Sequence, residues 1–232
     1  MAGVTVVIPW REDRLEQPER EAAIVWVTAQ LVTAGHPVHI AMRDDPPAEW
    51  SKAAAIAAAS EVIGTEGIVV VTDADVWSPG LPQAVAAVRA GYPWAMPHMR
   101  VHRLTPEATQ AVLEGDTPNE AMPCVKRPYR GVCGGGIVVM PAATLAEVPP
   151  DVRFRGWGSE DRAWCDALRA LAGQEWRQTR APLFHLWHPP YTDGVGAHIT
   201  SPENARLAAE YRRHRHDGNR VRLMVEASRG QA

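Results

Sequence analysis

An α/β fold with a mostly parallel central sheet flanked by helices is what the sequence predicts, on three observations. Short apolar runs alternate with helix-like segments of about ten residues through the first half of the chain. The runs are rich in valine and isoleucine and lack the polar alternation of a sheet wetted on one face, which is how strands buried on both faces read. Gly35, Gly64 and Gly67 fall between the runs, where the chain has to turn.

Taken in order, residues 4–9 are a valine-rich strand, and residues 21–32 a helix with Ile24, Val27 and Leu31 on one face. Residues 36–41 make the second strand. The alanine-dense residues 51–59 are helical by propensity, 68–72 are an apolar strand that runs into acidic residues, and 79–90 are the next helix. In such sheets ligands gather beyond the carboxyl ends of the strands, where Pro9, Asp44 and Asp73 lie. The second half is less regular. A Pro- and Gly-rich connection over 117–136 leads to a strand over 137–140. A helix over 159–172 carries Trp164, Leu168 and Leu171 on one face, with Ser159 placed to cap its start and Gly173 to end it. Ser201-Pro202-Glu203 opens a last helix through residue 213.

A length of 232 residues fits a single domain. The 46% hydrophobic and 22% charged composition is that of an ordinary globular protein and excludes a disordered or fibrous chain. With 24 Lys and Arg against 27 Asp and Glu, the net charge of -3 lacks the broad positive field of non-specific nucleic-acid binding. The basic run at residues 212–216 reads as a solvated helix face. The odd cysteine number, Cys124, Cys133 and Cys165, without metal-ligand spacing, suggests reduced thiols in a cytoplasmic protein. No stretch approaches the roughly 18 consecutive apolar residues of a membrane helix, and the N-terminus lacks the pattern of a secretion signal.

Three clusters carry candidate chemistry. Asp73 and Asp75 follow a strand two residues apart, so both carboxylates can face one site and serve as hard oxygen ligands for a divalent cation, Mn2+ or Mg2+, that bridges phosphates. The competing reading is a turn in which the aspartates cap the next element. His185 and His188 sit in an apolar setting and offer imidazole to the same ion, against the alternative of buried histidines bonded to backbone. Glu160 and Asp161 occupy the first turn of the clearest helix, where acids commonly do no more than complement the helix dipole. A carboxylate held there can also accept a hydroxyl proton, although the helix start should lower its pKa and weaken it as a base. Nine tryptophans against two phenylalanines are an unusual aromatic choice, and indole faces suit sugar rings. Trp10, Trp77, Trp157 and Trp187 stand beside these clusters.

In this order the pieces resemble the GT-A fold glycosyltransferases related to family 2 enzymes and to the β-1,4-galactosyltransferase and polypeptide N-acetylgalactosaminyltransferase groups. Val6-Val7-Ile8-Pro9 resembles their nucleotide-binding strand, Asp44 the acid that reads the base, Lys52-Ala53-Ala54-Ala55 the helix before the metal strand, and Val71-Thr72-Asp73-Ala74-Asp75 the Asp-x-Asp strand. Gly134-Gly135-Gly136-Ile137 is similar to the glycine segment before the acceptor site. Gly156-Trp157-Gly158-Ser159-Glu160-Asp161 is similar to the galactosyltransferase acceptor element, and His185 to the late metal-binding histidine. The resemblance implies donor contacts from Pro9, Arg11, Asp44, Lys52 and Asp73, and acceptor contacts from Trp157, Gly135 and Gly136. It further implies a metal on Asp73, Asp75, His185 or His188, with Asp161 as catalytic base and Glu160 orienting the acceptor. The implied reaction moves a sugar from a nucleotide-diphosphate sugar, a UDP-sugar first, to a hydroxyl with inversion. Residues 1–100 would hold the donor and 101–232 the acceptor, which is a glycan, protein or small molecule. Trp10-Arg11-Glu12-Asp13-Arg14 and Arg162 depart from the family pattern. A sugar-phosphate nucleotidyltransferase and a non-catalytic sugar-binding protein are the rival readings. The first is disfavoured because a glycine-rich, lysine-bearing loop is absent after the first strand.

Overall fold

A computed structural model describes residues 3–11, 17–43, 50–156, 158–178, 180–189 and 200–230. Its main sheet has six strands among the described residues: β1 (Val4–Trp10), β2 (Val38–Met42), β3 (Ile68–Thr72), β5 (Ala95–Met96), β8 (Ile137–Pro141) and β9 (Trp176–Arg177), in the order β2-β1-β3-β8-β5-β9. β1 pairs parallel to β2 and β3, and β5 to β9, whereas β8 runs antiparallel to both its neighbours. A second sheet joins β4 (Val76–Trp77), β6 (Arg100–Arg103), β7 (Tyr129–Arg130) and β10 (Pro182–His185) in the order β4-β10-β6-β7.

Both faces of the main sheet are buried, and the pleat explains how. Val4, Val6 and Ile8 of β1, Ile68 and Val70 of β3, and Ile137 and Val139 of β8 pack on one face against α1 (Pro18–Thr33) and α3 (Leu81–Arg89). Val7, Val69, Val71, Val138 and Met140 pack on the other. There they meet α2 (Lys52–Ile63), α5 (Ala142–Glu147), α6 (Glu160–Leu171), α7 (Pro202–His214) and α8 (Gly218–Arg229). Each such aliphatic side chain contributes about 1.5–3 kcal/mol by leaving water. α4 (Pro106–Leu113) lies in the connection between β6 and β7 of the second sheet and starts at a Thr105 cap, whose hydroxyl accepts from Ala108 N–H.

Three sequence expectations change. α7 is not the last helix, because α8 follows and buries Val221 and Val225. Ser159 does not cap α6 through its side chain. It sits in the left-handed region at φ 74°, and the Glu160 carboxylate instead accepts from Gly158 N–H at 3.0 Å. The reduced-thiol expectation fails as well: Cys133 and Cys165 form a disulfide with Cα atoms 5.7 Å apart, and Cys124 is the free thiol. Packing α6 against the glycine segment brings together two cysteines that lie 32 residues apart, a proximity no spacing rule shows. A loop of that length implies that reduction lowers stability by about 3.5 kcal/mol. Denaturant titration with and without reductant measures the loss, and thiol labelling of the unreduced, unfolded chain should find one reactive cysteine.

Candidate active site

The carboxyl ends of β1 and β3, the start of α2, the glycine segment, the start of α6 and the end of β10 all open on one cavity of about 780 Å³. Pro9, Trp10 and Arg11 reach it because β1 ends there, and the Arg20 guanidinium lies over the Trp10 ring at 5.4 Å.

Lys52 reaches the cavity because Ser51 starts α2 in a fixed place. The Ser51 hydroxyl accepts from Ala54 N–H at 3.1 Å and donates to the Phe154 carbonyl at 2.6 Å. A cation in the first turn of a helix opposes the dipole, and here two carboxylates compensate it. The Lys52 ammonium lies 2.6 Å from Asp73 Oδ1 and 3.0 Å from Asp161 Oδ1. Burial works against the Lys52 charge, but Asp161 and Asp73 outweigh it and raise its pKa well above the usual lysine value. For Asp161, burial is the main influence and pushes the carboxyl up to about 7, with Lys52 opposing and Glu160 and Asp73 adding. The weakening expected from the helix start is therefore reversed by desolvation.

The glycine segment fits around this group. A Cβ on Gly135 would stand 2.6 Å from Asp161 Oδ2, and one on Gly136 would stand 2.8 Å from a Leu183 methyl. Gly136 N–H donates to Asp73 Oδ2 at 3.2 Å, while Asp73 N–H donates to the Gly136 carbonyl at 2.9 Å.

Asp75 turns to other partners. The chain leaves β3 at Thr72 and bends before β4, and β4 pairs antiparallel with β10, so Val76 stands opposite His185. Asp75 Oδ2 lies 2.9 Å from His188 Nε2 and 3.7 Å from His185 Nε2. Each imidazole has its Nδ1 at 2.8 Å from a backbone carbonyl, that of Leu186 or Pro189. A carbonyl can only accept, so the Nδ1 atoms carry protons and both Nε2 atoms face Asp75. Ligand atoms of all three residues lie within 4.8 Å of one another. Two oriented imidazoles and a carboxylate fit a divalent transition ion such as Mn2+. Burial opposes ionisation of Asp75, but His185, His188 and Arg20 hold its carboxyl below the usual range. Burial lowers His185, whereas the Asp75 hydrogen bond and charge outweigh burial and raise His188.

No protein-family model matches the sequence, and no curated protein matches it. Among solved structures, the catalytic domain of Drosophila β1,4-galactosyltransferase 7, in complex with xylobiose, is similar with a TM-score of 0.51 and 16% identity. The match covers 89% of this chain and 79% of that one. GalNAc-T7 with UDP, GalNAc and Mn2+ is similar with a TM-score of 0.56 and 10% identity, over 99% of this chain and 55% of that one, so the chain spans about half its length. The chain has the GT-A fold.

Within this GT-A chain, Pro9, Arg11, Lys52, Asp73, Asp75, Gly135, Gly136, Glu160, Asp161, His185 and His188 all line the one cavity. Asp44 and Trp157 lie outside the described residues. Asp73 does not join the cluster of Asp75 and the histidines, because the turn after β3 directs its carboxylate to Lys52 and Gly136 instead. Of the other tryptophans, Trp10 lines the cavity, while Trp77 packs in the core against Phe184 and Trp26. Trp187 is outside the lining, and its backbone N–H donates to the Thr109 hydroxyl. Trp50, His98, Arg103, Lys126 and Tyr129 also line the GT-A cavity, and no sequence motif marks them. Arg103 lies beside His185 in the β6–β10 ladder, a pairing of two elements too short for periodicity to reveal. His98 is 1% exposed and its pKa falls to about 4, mainly through burial and then through Arg177. A lone histidine carries no signal in sequence.

Proposed function

We propose that this chain transfers a sugar from a nucleotide-diphosphate sugar, with a UDP-sugar as first choice, to an acceptor hydroxyl, with inversion at the anomeric carbon and with a divalent cation. The observation that carries the reading is one cavity in a GT-A fold whose lining holds both a two-histidine, one-carboxylate cluster and a half-buried carboxyl of raised pKa paired with Lys52. The galactosyltransferase neighbour was determined with xylobiose, and GalNAc-T7 with UDP, GalNAc and Mn2+, which supports the same substrate classes here.

A cation on Asp75, His185 and His188 would supply positive charge to the departing diphosphate. The acceptor oxygen attacks the anomeric carbon opposite the leaving group, the carbon–oxygen bond to the diphosphate breaks, and the acceptor's proton passes to Asp161. Lys52 holds Asp161 in place. Glu160, tied to Gly158 N–H, borders the acceptor space. Residues 1–100 supply most of the donor wall and residues 101–232 the acceptor wall, although both histidines come from the second half.

Incubating the pure chain with Mn2+ and a panel of nucleotide sugars tests this. Released nucleoside diphosphate supports the transferase, pyrophosphate points to a nucleotidyltransferase, and neither to a binding protein. The pH profile gives a second check. A base must be ionised, so the rate should fall as pH drops through about 7, the value to which burial brings Asp161. Lys52→Met removes the charge that holds this carboxyl down, so the acid limb should move to higher pH. An acid limb that stays in place would detach Lys52 from the base.

A further inference from the structure

We infer that the Cys133–Cys165 disulfide is a positioning bridge, which clamps the glycine segment onto Asp161 so that opening it lowers turnover rather than donor affinity. The inference rests on the transferase reading above and adds a residue pair to it.

Cys165 lies four residues after Asp161, on the same face of α6. Cys133 directly precedes Gly134 and Gly135, the two residues that abut the proposed base. A Cβ on Gly134 would come within 2.2 Å of the Asp161 carbonyl oxygen and 3.3 Å of Cys165 N, so the segment's backbone rests on the first turns of the helix. At its other end the segment exchanges two hydrogen bonds with Asp73 through Gly136. Four residues, 133–136, therefore span the distance from the base to the loop that presents Asp75. Among the described residues no hydrogen bond joins this segment to α6. Close packing and the disulfide are what hold the two together, and the disulfide is the one covalent link between them. Cys165 is 2% exposed and Cys133 is half-buried, and the residues on either side of them, Val132, Gly135 and Asp161, line the cavity.

Opening the bridge takes two electrons and two protons. With dithiothreitol the sulfur–sulfur bond becomes two thiols, and the reagent closes into its own cyclic disulfide. A segment free to shift exposes Asp161 to water and alters its distance from the bound sugar, and displacements of that kind act on rate.

The test uses the full chain carrying Cys124→Ser, so that thiol chemistry is confined to the bridge. Nucleoside diphosphate release and donor affinity are measured with Mn2+ and UDP-galactose, UDP-glucose or UDP-N-acetylgalactosamine, for the oxidised protein, the reduced protein and a Cys133→Ser/Cys165→Ser variant. Reduction should lower kcat by at least about tenfold with donor Kd unchanged, and reoxidation should restore it. The acid limb of the pH profile should also move down, because water relieves the burial that raises Asp161. Equal turnover in both redox states overturns the inference, as does a loss of donor affinity that parallels the loss of rate and of melting temperature. If the oxidised protein neither binds nor turns over any donor, the transferase reading fails and the bridge's role falls with it.

Discussion

Asp161→Asn is expected to lower sugar transfer by about 10²–10⁴-fold, the usual contribution of a positioned general base, while leaving Mn2+-dependent donor binding intact. The amide keeps the shape of the carboxylate and an oxygen for Lys52, whose ammonium lies 3.0 Å from Asp161 Oδ1. It cannot take up a proton from an attacking hydroxyl. Single-turnover transfer and donor titration, run on the same preparation, separate the two effects. Normal turnover in this variant would remove Asp161 from the mechanism and leave the acid at the start of α6 a structural group.

Asp75→Asn should weaken Mn2+ binding by more than about 100-fold, since supporting residues around a metal ligand alone commonly account for 10–100-fold. Among the described residues, Asp75 is the one carboxylate that faces both imidazoles. Asp73→Asn is the informative contrast. That carboxylate is held by Lys52 and Gly136 and lies outside the cluster, so its loss should disturb Mn2+ affinity far less. Calorimetric titration of the two variants with Mn2+ decides the matter, and equal losses would place the ion between the two aspartates instead.

The first half of the fold is legible in the sequence because its elements are long enough to show a period. β1 and β3 are buried on both faces and read as valine runs, while α1 and α2 bury one face each and read by helical spacing. The second sheet is not legible. β4 and β7 are two residues long, and their pairing is decided by partners distant in the chain. α4 carried a readable signal, since Thr105-Pro106-Glu107 has the same cap pattern as Ser201-Pro202-Glu203 before α7. α8 is harder to read, because only Val221 and Val225 among its large apolar residues are fully buried, Met224 packs partly against the core and Leu223 is exposed. At the site, residue types and order single out Asp73, Asp75, His185, His188, Glu160 and Asp161 as candidates, but their partners are out of reach of the sequence. Two carboxylates separated by one residue look equivalent on a strand. The turn that sends Asp73 to Lys52 and Asp75 to the imidazoles exists only once β10 is in place.

The lysine at the start of α2 links Asp73 and Asp161 thermodynamically. One ammonium is shared by Asp73 and Asp161, so any ligand that draws Asp73 away leaves more of that positive charge for Asp161 and changes how tightly it holds a proton. Reciprocity follows: the proton on Asp161 must alter that ligand's affinity by the same free energy. Ligand binding beside Asp73 and proton uptake at Asp161 are then coupled equilibria, joined through a single side chain.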